Sequence, residues 1–221
     1  FAMTPQEKLA ELIRCRTVSD PHERDEAEFL RFRDTFRRLF PLIHERLTLT
    51  EIGGGSLLFR WHGHSPEDPI VLMAHYDVVP APPEQWRSDP FEGLISEGYV
   101  FGRGALDDKG PLVTISESVE SLLAEGFVPE HDVWLSFGHD EEVFGAGAAK
   151  VVTYLKEAGV RPWLVNDEGG ALVEKALPGL RGRQAMIAIA EKGTVDVEIL
   201  ATGSGGHASV PQRNGPIFFF F

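Results

Sequence analysis

The sequence predicts an α/β layered fold built on a largely parallel sheet, and three observations carry that prediction. Segments with apolar residues at helical spacing alternate with short apolar runs of strand length. Clusters of acidic residues fall where those runs end, the place where open α/β sheets bind ligands. The size and composition suit one large domain, or one domain with the beginning of another: 221 residues, 43% hydrophobic and 25% charged.

Taken in order, Thr4-Pro5-Gln6-Glu7 reads as a helix start, with a Thr cap, Pro in the first turn and Glu three residues after the cap. Leu9, Leu12 and Ile13 share one face of that helix. A second helix is expected from about Asp25 to Phe40, where Phe29, Phe32, Phe36, Leu39 and Phe40 recur as a core stripe. Strands are expected over Arg46 to Ile52, Ser56 to Trp61 and Ile70 to Ala74. Gly53-Gly54-Gly55 joins the first two as a hairpin loop; no helix follows it, so it does not read as a phosphate cradle. Pro80 to Pro90 is a proline-rich loop, Lys109 to Glu125 a helix, and Asp132 to Phe137 a strand. Phe144 to Ala158 reads as a helix closed by Gly159, followed by a short strand over Trp163 to Asn166. Beyond Gly179 the texture changes to strand-like runs over Met186 to Ala190 and Thr194 to Ala201, which puts a domain boundary near Glu191-Lys192-Gly193. The closing run Phe218 to Phe221 has no fold meaning.

The charge balance narrows the function. Thirty-four acidic residues against 21 basic ones give a net charge of -13, a surface that repels nucleic acid and anionic membranes. Bound cations would offset part of that excess. No apolar run reaches the ~20 residues that cross a bilayer, and the start shows no signal peptide. The single cysteine, Cys15, fits a reducing cytoplasm and excludes cysteine-based structural zinc modules.

Four clusters carry the chemistry. In the first, His75 and Asp77 follow the run Ile70-Val71-Leu72; two residues apart in an extended chain they face the same side, so the carboxylate can accept the ring N–H of a metal-bound imidazole. In the second, Asp107 and Asp108 stand among glycines just before a helix, where they either cap it or bridge cations. In the third, Asp140-Glu141-Glu142 repel one another unless something positive sits among them. A solvated acidic helix start is the bland reading; the functional one gives Glu142 to a metal and leaves Glu141 as general base. The fourth, Asp167-Glu168, ends an apolar strand either as a polar turn or as a further ligand. Histidine and carboxylates without cysteine suit catalytic zinc, with manganese or cobalt as alternatives. A carboxylate-bridged pair of ions suits two-metal hydrolysis.

The ordered series His75-x-Asp77, Gly-Arg-Gly-Ala-x-Asp107-Asp108-Lys-Gly, Asp140-Glu141-Glu142 and Asp167-Glu168-Gly169 resembles the M20 family of metallopeptidases. The wording around the motifs is most similar to its carboxypeptidase S and N-fatty-acyl-amino-acid hydrolase branch, over Thr4 to Pro216. The resemblance implies a three-layer catalytic domain, a sheet with helices on both faces, over residues 4–190, and the start of a smaller α+β lid or dimerisation domain over 191–217. It implies His75 as a ligand of one of two zinc ions, supported by Asp77; Asp107 as the bridge, with a cis peptide to Asp108; Glu142 as a ligand; and Glu141 as general base. The motif register favours Glu168 as the remaining carboxylate ligand, with Asp167 as the alternative. His207, in Gly205-Gly206-His207-Ala208-Ser209, matches a lid histidine that helps hold the developing oxyanion; without the resemblance it reads as a surface histidine.

The activity implied is hydrolysis of an amide bond next to a free carboxylate, in a peptide or an N-acyl amino acid. Zinc lowers the pKa of its bound water to ~7, which supplies the hydroxide. A homodimer through the lid is implied, and neither nucleic acid nor membrane is an expected partner. Family members are longer: the lid continues and the chain then returns with a further zinc-binding histidine. A chain without that part is expected to lack a ligand and part of the substrate wall, and to be inactive alone. Two other readings compete: a metal-binding pseudoenzyme or fragment serving as an interaction module, and an unrelated α/β domain whose acids only cap helices. Retention of Glu141 beside Glu142 argues against the first, and purification without zinc would mark the second.

Overall fold

The computed structural model describes residues 3–20, 24–169, 171–190, 193, 195 and 197–200. They fall in two compact units, 1–168 and 169–221.

In the first unit, Thr4 caps α1 (Pro5–Ile13) through a full capping box: its backbone N–H donates to the Glu7 carboxylate at 2.7 Å, and the Glu7 N–H donates to its hydroxyl at 3.3 Å. Asp25 caps α2 (Glu26–Leu39), which buries Phe29, Phe32, Phe36 and Leu39. A short helix, α3 (Pro41–Arg46), precedes the stretch expected as strand and takes its first residue, Arg46. The extended chain begins only at β1 (Thr48–Ile52). Proline sets the first-turn dihedral of α3, and six residues are too few to show a period.

β1 turns into β2 (Ser56–Trp61) through the three glycines, and Ile52 pairs with Ser56 in an antiparallel hairpin. Gly53 and Gly54 hold left-handed dihedrals there, at φ 67° and 91°. Next come β3 (Ser65–His75), a two-stranded hairpin of β4 (Leu94–Ser96) and β5 (Tyr99–Phe101), α4 (Lys109–Ala124) and β6 (His131–Gly138). A 3-10 turn over Glu141–Val143 leads to α5 (Gly147–Glu157) and β7 (Leu164–Asn166). Phe144 was expected to open that last helix. It sits instead in the left-handed region at φ 51° as the cap of the 3-10 turn, so α5 starts three residues later.

The sheet order is β1-β2-β6-β3-β7. β3 runs parallel to β6 and β7, while β1–β2 and β2–β6 are antiparallel. The expectation of a largely parallel sheet is therefore corrected to a mixed one. The glycine hairpin fixes β1 against β2, and β6 inserts between β2 and β3, which are neighbours only in sequence.

Helices cover both faces. On one, Leu57, Phe59, Ala74, Leu135 and Phe137 pack with residues of α1 to α4, among them Leu12, Phe36 and Leu112. Phe32 stacks on Tyr76 at 4.3 Å between ring centroids. On the other, Leu58, Val71 and Trp134 pack against Val151 and Leu155 of α5. Alternation along each strand sends successive residues to opposite layers, as Leu57, Leu58 and Phe59 show.

The second unit contains one described hairpin, β8 (Ala171–Glu174) with β9 (Arg183–Met186). The strand expected over Met186 to Ala190 is displaced toward the N-terminus, and only Met186 belongs to it. Of 194–201, the described residues carry no strand; the remainder lie outside the described residues, as does His207. Among the described residues, no helix is long and apolar enough to cross a membrane.

Candidate active site

Three parallel strands deliver the site. β3 ends on His75, which pairs in register with Gly138, the last residue of β6. Leu72 of β3 pairs with Asn166, the last residue of β7. The chain leaving β6 carries Glu141 and Glu142, and the chain leaving β7 carries Asp167 and Glu168. The turn before α4 supplies Asp107 and Asp108, joined by a cis peptide bond as the resemblance implied.

His75 is buried, with its two ring nitrogens in different company. Nδ1 lies 3.0 Å from the Asp77 backbone carbonyl and 3.4 Å from its carboxylate. That leaves Nε2 facing Asp107 Oδ1 at 2.9 Å, Glu168 Oε2 at 3.2 Å and Glu141 Oε2 at 3.8 Å. Among the described residues, two triads have ligand atoms all within 4.8 Å of one another: His75, Asp108 and Glu168, and His75, Glu141 and Glu142.

Asp77 does more than face the imidazole. Fully buried, its two carboxylate oxygens accept the backbone N–H of Glu141 at 3.2 Å and of Glu142 at 3.1 Å. Burial works to raise its pKa, but the hydrogen bonds and the neighbouring imidazole outweigh it and hold the carboxyl below its usual range. Burial alone would lower His75; the hydrogen bond and charge of Asp77, with Glu168 and Asp108, overcome it and push the ring up to about 10.

The remaining carboxylates show the strain of like charges in one place. Glu141, Glu142 and Glu168 are all raised, by burial first; Asp107 raises each of them further, and His75 pulls the other way. Asp108 is pushed up to about 7 by burial, against the N–H of His75, which donates to its Oδ2 at 3.1 Å. A divalent cation among these groups would relieve the repulsion, and one imidazole with several carboxylates is a donor set that zinc or manganese accepts. The residues present fit such an ion.

The structure thus brings together His75, Asp77, Asp107, Glu141, Glu142 and Glu168. It leaves Asp167 aside: that carboxylate turns back to accept the Glu168 N–H at 2.9 Å. Two neighbours carry more than the sequence reading gave them. Asp108, read there as a cap or the far side of a cis bond, is 1% exposed and holds the His75 backbone. Lys109, fully buried, donates from Nζ to the carbonyls of Leu12 at 3.0 Å and Cys15 at 2.7 Å, fastening the acidic turn to α1. Burial pushes its ammonium down to about 7. The Gly-rich turn before α4 gave no hint that its lysine would point inward.

A mixed sheet with an imidazole–carboxylate cluster at its strand ends defines an α/β domain with a candidate divalent-metal centre. The profile of Peptidase family M20/M25/M40 matches residues 71–214, and the chain belongs to that family. It is 38% identical over 220 residues to "Probable carboxypeptidase S-like 2" of Dictyostelium discoideum, covering 96% of this chain and 42% of that protein. It is also 38% identical to "N-fatty-acyl-amino acid synthase/hydrolase PM20D1" of Mus musculus, covering 96% of this chain and 43% of that protein. The chain therefore spans less than half the length of these relatives. Among solved structures, an M20 family metallo-carboxypeptidase from Sulfolobus solfataricus, Sso-CP2, superposes with a TM-score of 0.61 at 21% identity, over 77% of this chain and 38% of that one. Human carnosine dipeptidase 1 gives 0.59 at 18% identity, over 76% and 39%. At those identities the likeness is one of fold.

Proposed function

We propose that this chain carries the catalytic half-site of a metal-dependent hydrolase that cleaves an amide bond next to a free carboxylate, in a peptide or an N-acyl amino acid. One observation supports this most directly: His75 Nε2 faces three carboxylates while Asp77 occupies Nδ1. An imidazole whose far nitrogen faces a backbone carbonyl at 3.0 Å, with a carboxylate at 3.4 Å, is oriented as a metal ligand, and its tautomer is fixed. The names of the relatives, a carboxypeptidase S-like protein and an N-fatty-acyl-amino acid synthase/hydrolase, support the substrate class.

In this reading His75, Asp107, Glu142 and Glu168 would hold a pair of divalent ions, zinc by preference, with Asp107 as the shared ligand that the family resemblance implies. When bound, the ions supply Lewis acidity toward the scissile carbonyl and make water acidic enough to lose a proton near neutral pH. Glu141 is the general base. Its carboxylate stands 3.8 Å from the imidazole, half-exposed at the mouth of the cluster, with a pKa raised by burial and like charges. It takes a proton from the attacking water and passes it to the leaving nitrogen. Asp77 keeps the His75 ring turned and holds the backbone of Glu141 and Glu142. His207, outside the described residues, is assigned to the oxyanion, and residues from about 191 onward to a lid through which the protein dimerises.

The test pairs metal analysis with turnover. In the complete enzyme, the wild-type protein should take up zinc, and amine release from N-acyl amino acids or dipeptides should depend on it. Glu141→Gln should keep its zinc and lose turnover by about 10²–10⁴-fold, the span of general-base catalysis. Near-normal turnover in that variant would remove the base assignment, and a protein that takes up no zinc would remove the metal centre.

A further inference from the structure

Three glycines near the site are explained by neither turn geometry nor substrate. Gly145 and Gly147 lie so close to the Asp140 carboxylate that neither has room for a Cβ. Gly55, the last of the hairpin glycines, has none either: a Cβ there would stand 2.7 Å from His139 Cγ and Cδ2 and 3.2 Å from its Cβ. Unlike Gly53 and Gly54, Gly55 does not have a left-handed backbone. Its missing side chain is needed for space rather than for the turn.

The space is filled by a buried polar assembly. His139 Nδ1 lies 2.9 Å from the Ser56 hydroxyl, and both residues are buried. The His139 carbonyl accepts from Arg24 at 3.3 Å. Asp140 accepts the N–H of Gly147 on its carboxylate at 3.0 Å and the N–H of Gly145 on its carbonyl at 2.8 Å. These contacts tie one end of the segment to the β1–β2 hairpin and the other to the start of α5. Glu141 and Glu142 follow directly, and their N–H groups go to Asp77.

We propose that His139 is a positioning residue: wedged against Gly55 and hydrogen-bonded to Ser56, it fixes the backbone from which Glu141 and Glu142 reach the centre. This rests on the assignment of those two residues to the metal site. Asp77 sets the segment from the β3 side and His139 from the β2 side, so displacement of either moves both the base Glu141 and the ligand Glu142. The hairpin glycines then have divided duties: Gly53 and Gly54 make the turn, and Gly55 admits the imidazole.

Gly55→Ala and Gly54→Ala separate the two duties. A Cβ at position 54 meets nothing within 4 Å but suffers the backbone strain of φ 91°, so this variant reports hairpin damage alone. Gly55→Ala should speed hydrogen exchange of the Glu141 and Glu142 amides at least tenfold and weaken zinc binding by about 10–100-fold, as loss of a ligand's support does. Gly54→Ala should leave both near wild type even where it lowers the melting temperature. Ser56→Ala, which removes the hydrogen bond without adding bulk, should move both readouts in the same direction by a smaller amount. Unchanged amide exchange in Gly55→Ala and Ser56→Ala, or equal changes in Gly54→Ala, would overturn the proposal. Failure of the wild-type protein to bind zinc would instead count against the metal centre, while the exchange rates would still decide the anchoring.

Discussion

Asp77 accepts the backbone N–H of Glu142 at 3.1 Å, so the strand end that carries His75 also sets where a residue 65 positions later stands. One buried residue faces the imidazole with its carbonyl and carboxylate and holds the adjoining acidic loop with the carboxylate. Asp77→Asn keeps the shape but gives up the charge and half the acceptor capacity. It should weaken zinc binding by about 10–100-fold. Competition titration against a chromophoric chelator reads the loss directly; wild-type affinity in the variant would show that the imidazole and the loop hold themselves.

Glu168 approaches His75, and Asp167 folds back onto its own chain. Glu168→Gln should therefore lower zinc affinity at least tenfold, and Asp167→Asn should leave it within about twofold, since an exposed carboxylate turned away from the imidazole contributes little. The same titration applies to both. Equal losses in the pair would mean that the ligand is shared or exchanged.

Lys109→Met should destabilise the fold by about 2–4 kcal/mol, because two buried hydrogen bonds from the lysine are lost, although the carbonyls of Leu12 and Cys15 each keep a backbone donor, the N–H groups of Cys15 and Thr17. Urea unfolding of the metal-free protein measures this, with an unchanged slope expected. A variant as stable as wild type would mean that methionine packing against Phe32 compensates for the two lost hydrogen bonds.

His44 gives a pH dependence remote from the metal centre. Its ring lies against Phe36 and Phe59, at 5.3 and 5.0 Å between centroids, and burial, opposed by the bond to the Phe40 carbonyl, lowers its pKa from 6.5. The unfolded chain therefore takes up this proton at a higher pH than the folded one. Stability from this group is complete above about pH 6.5 and is lost as the pH falls toward and through the depressed folded value. His44→Phe should remove that acid-side decline, seen as a smaller difference between midpoints at pH 7 and pH 5 in the chelated protein. An identical decline in both proteins would assign the acid sensitivity elsewhere.

What the sequence revealed and what it withheld divide along physical lines. Helices with a long apolar stripe, such as α2, and strands ending in acids, such as β3 and β6, announce themselves through local period and punctuation. The meeting of His75 with Glu168, 93 positions apart, was readable because both stand at the ends of apolar runs that a shared sheet would bring level. The strand order was not readable, since nothing local says that β6 enters between β2 and β3. Helix α3 and the β4–β5 hairpin were too short for a period to show. Inward-pointing Lys109 and the wedge of His139 against Gly55 exist only through space; a glycine pattern suited to a turn concealed a steric requirement 84 positions away.

β7 is three residues long, half-exposed at the rim of the sheet, and held to β3 through Leu164, Val165 and Asn166, with the Trp163 N–H donating to the Pro69 carbonyl just before it. A slip of one position there would exchange Asp167 for Glu168 opposite the imidazole and turn the strand inside out. Spacing between α5 and this edge is accordingly intolerant: a single residue added in 158–163 would bring Asp167 to the place of Glu168 at the candidate site, and a single residue deleted would bring Gly169 there. Length variation that most surface connections absorb would here act as a point mutation of the centre.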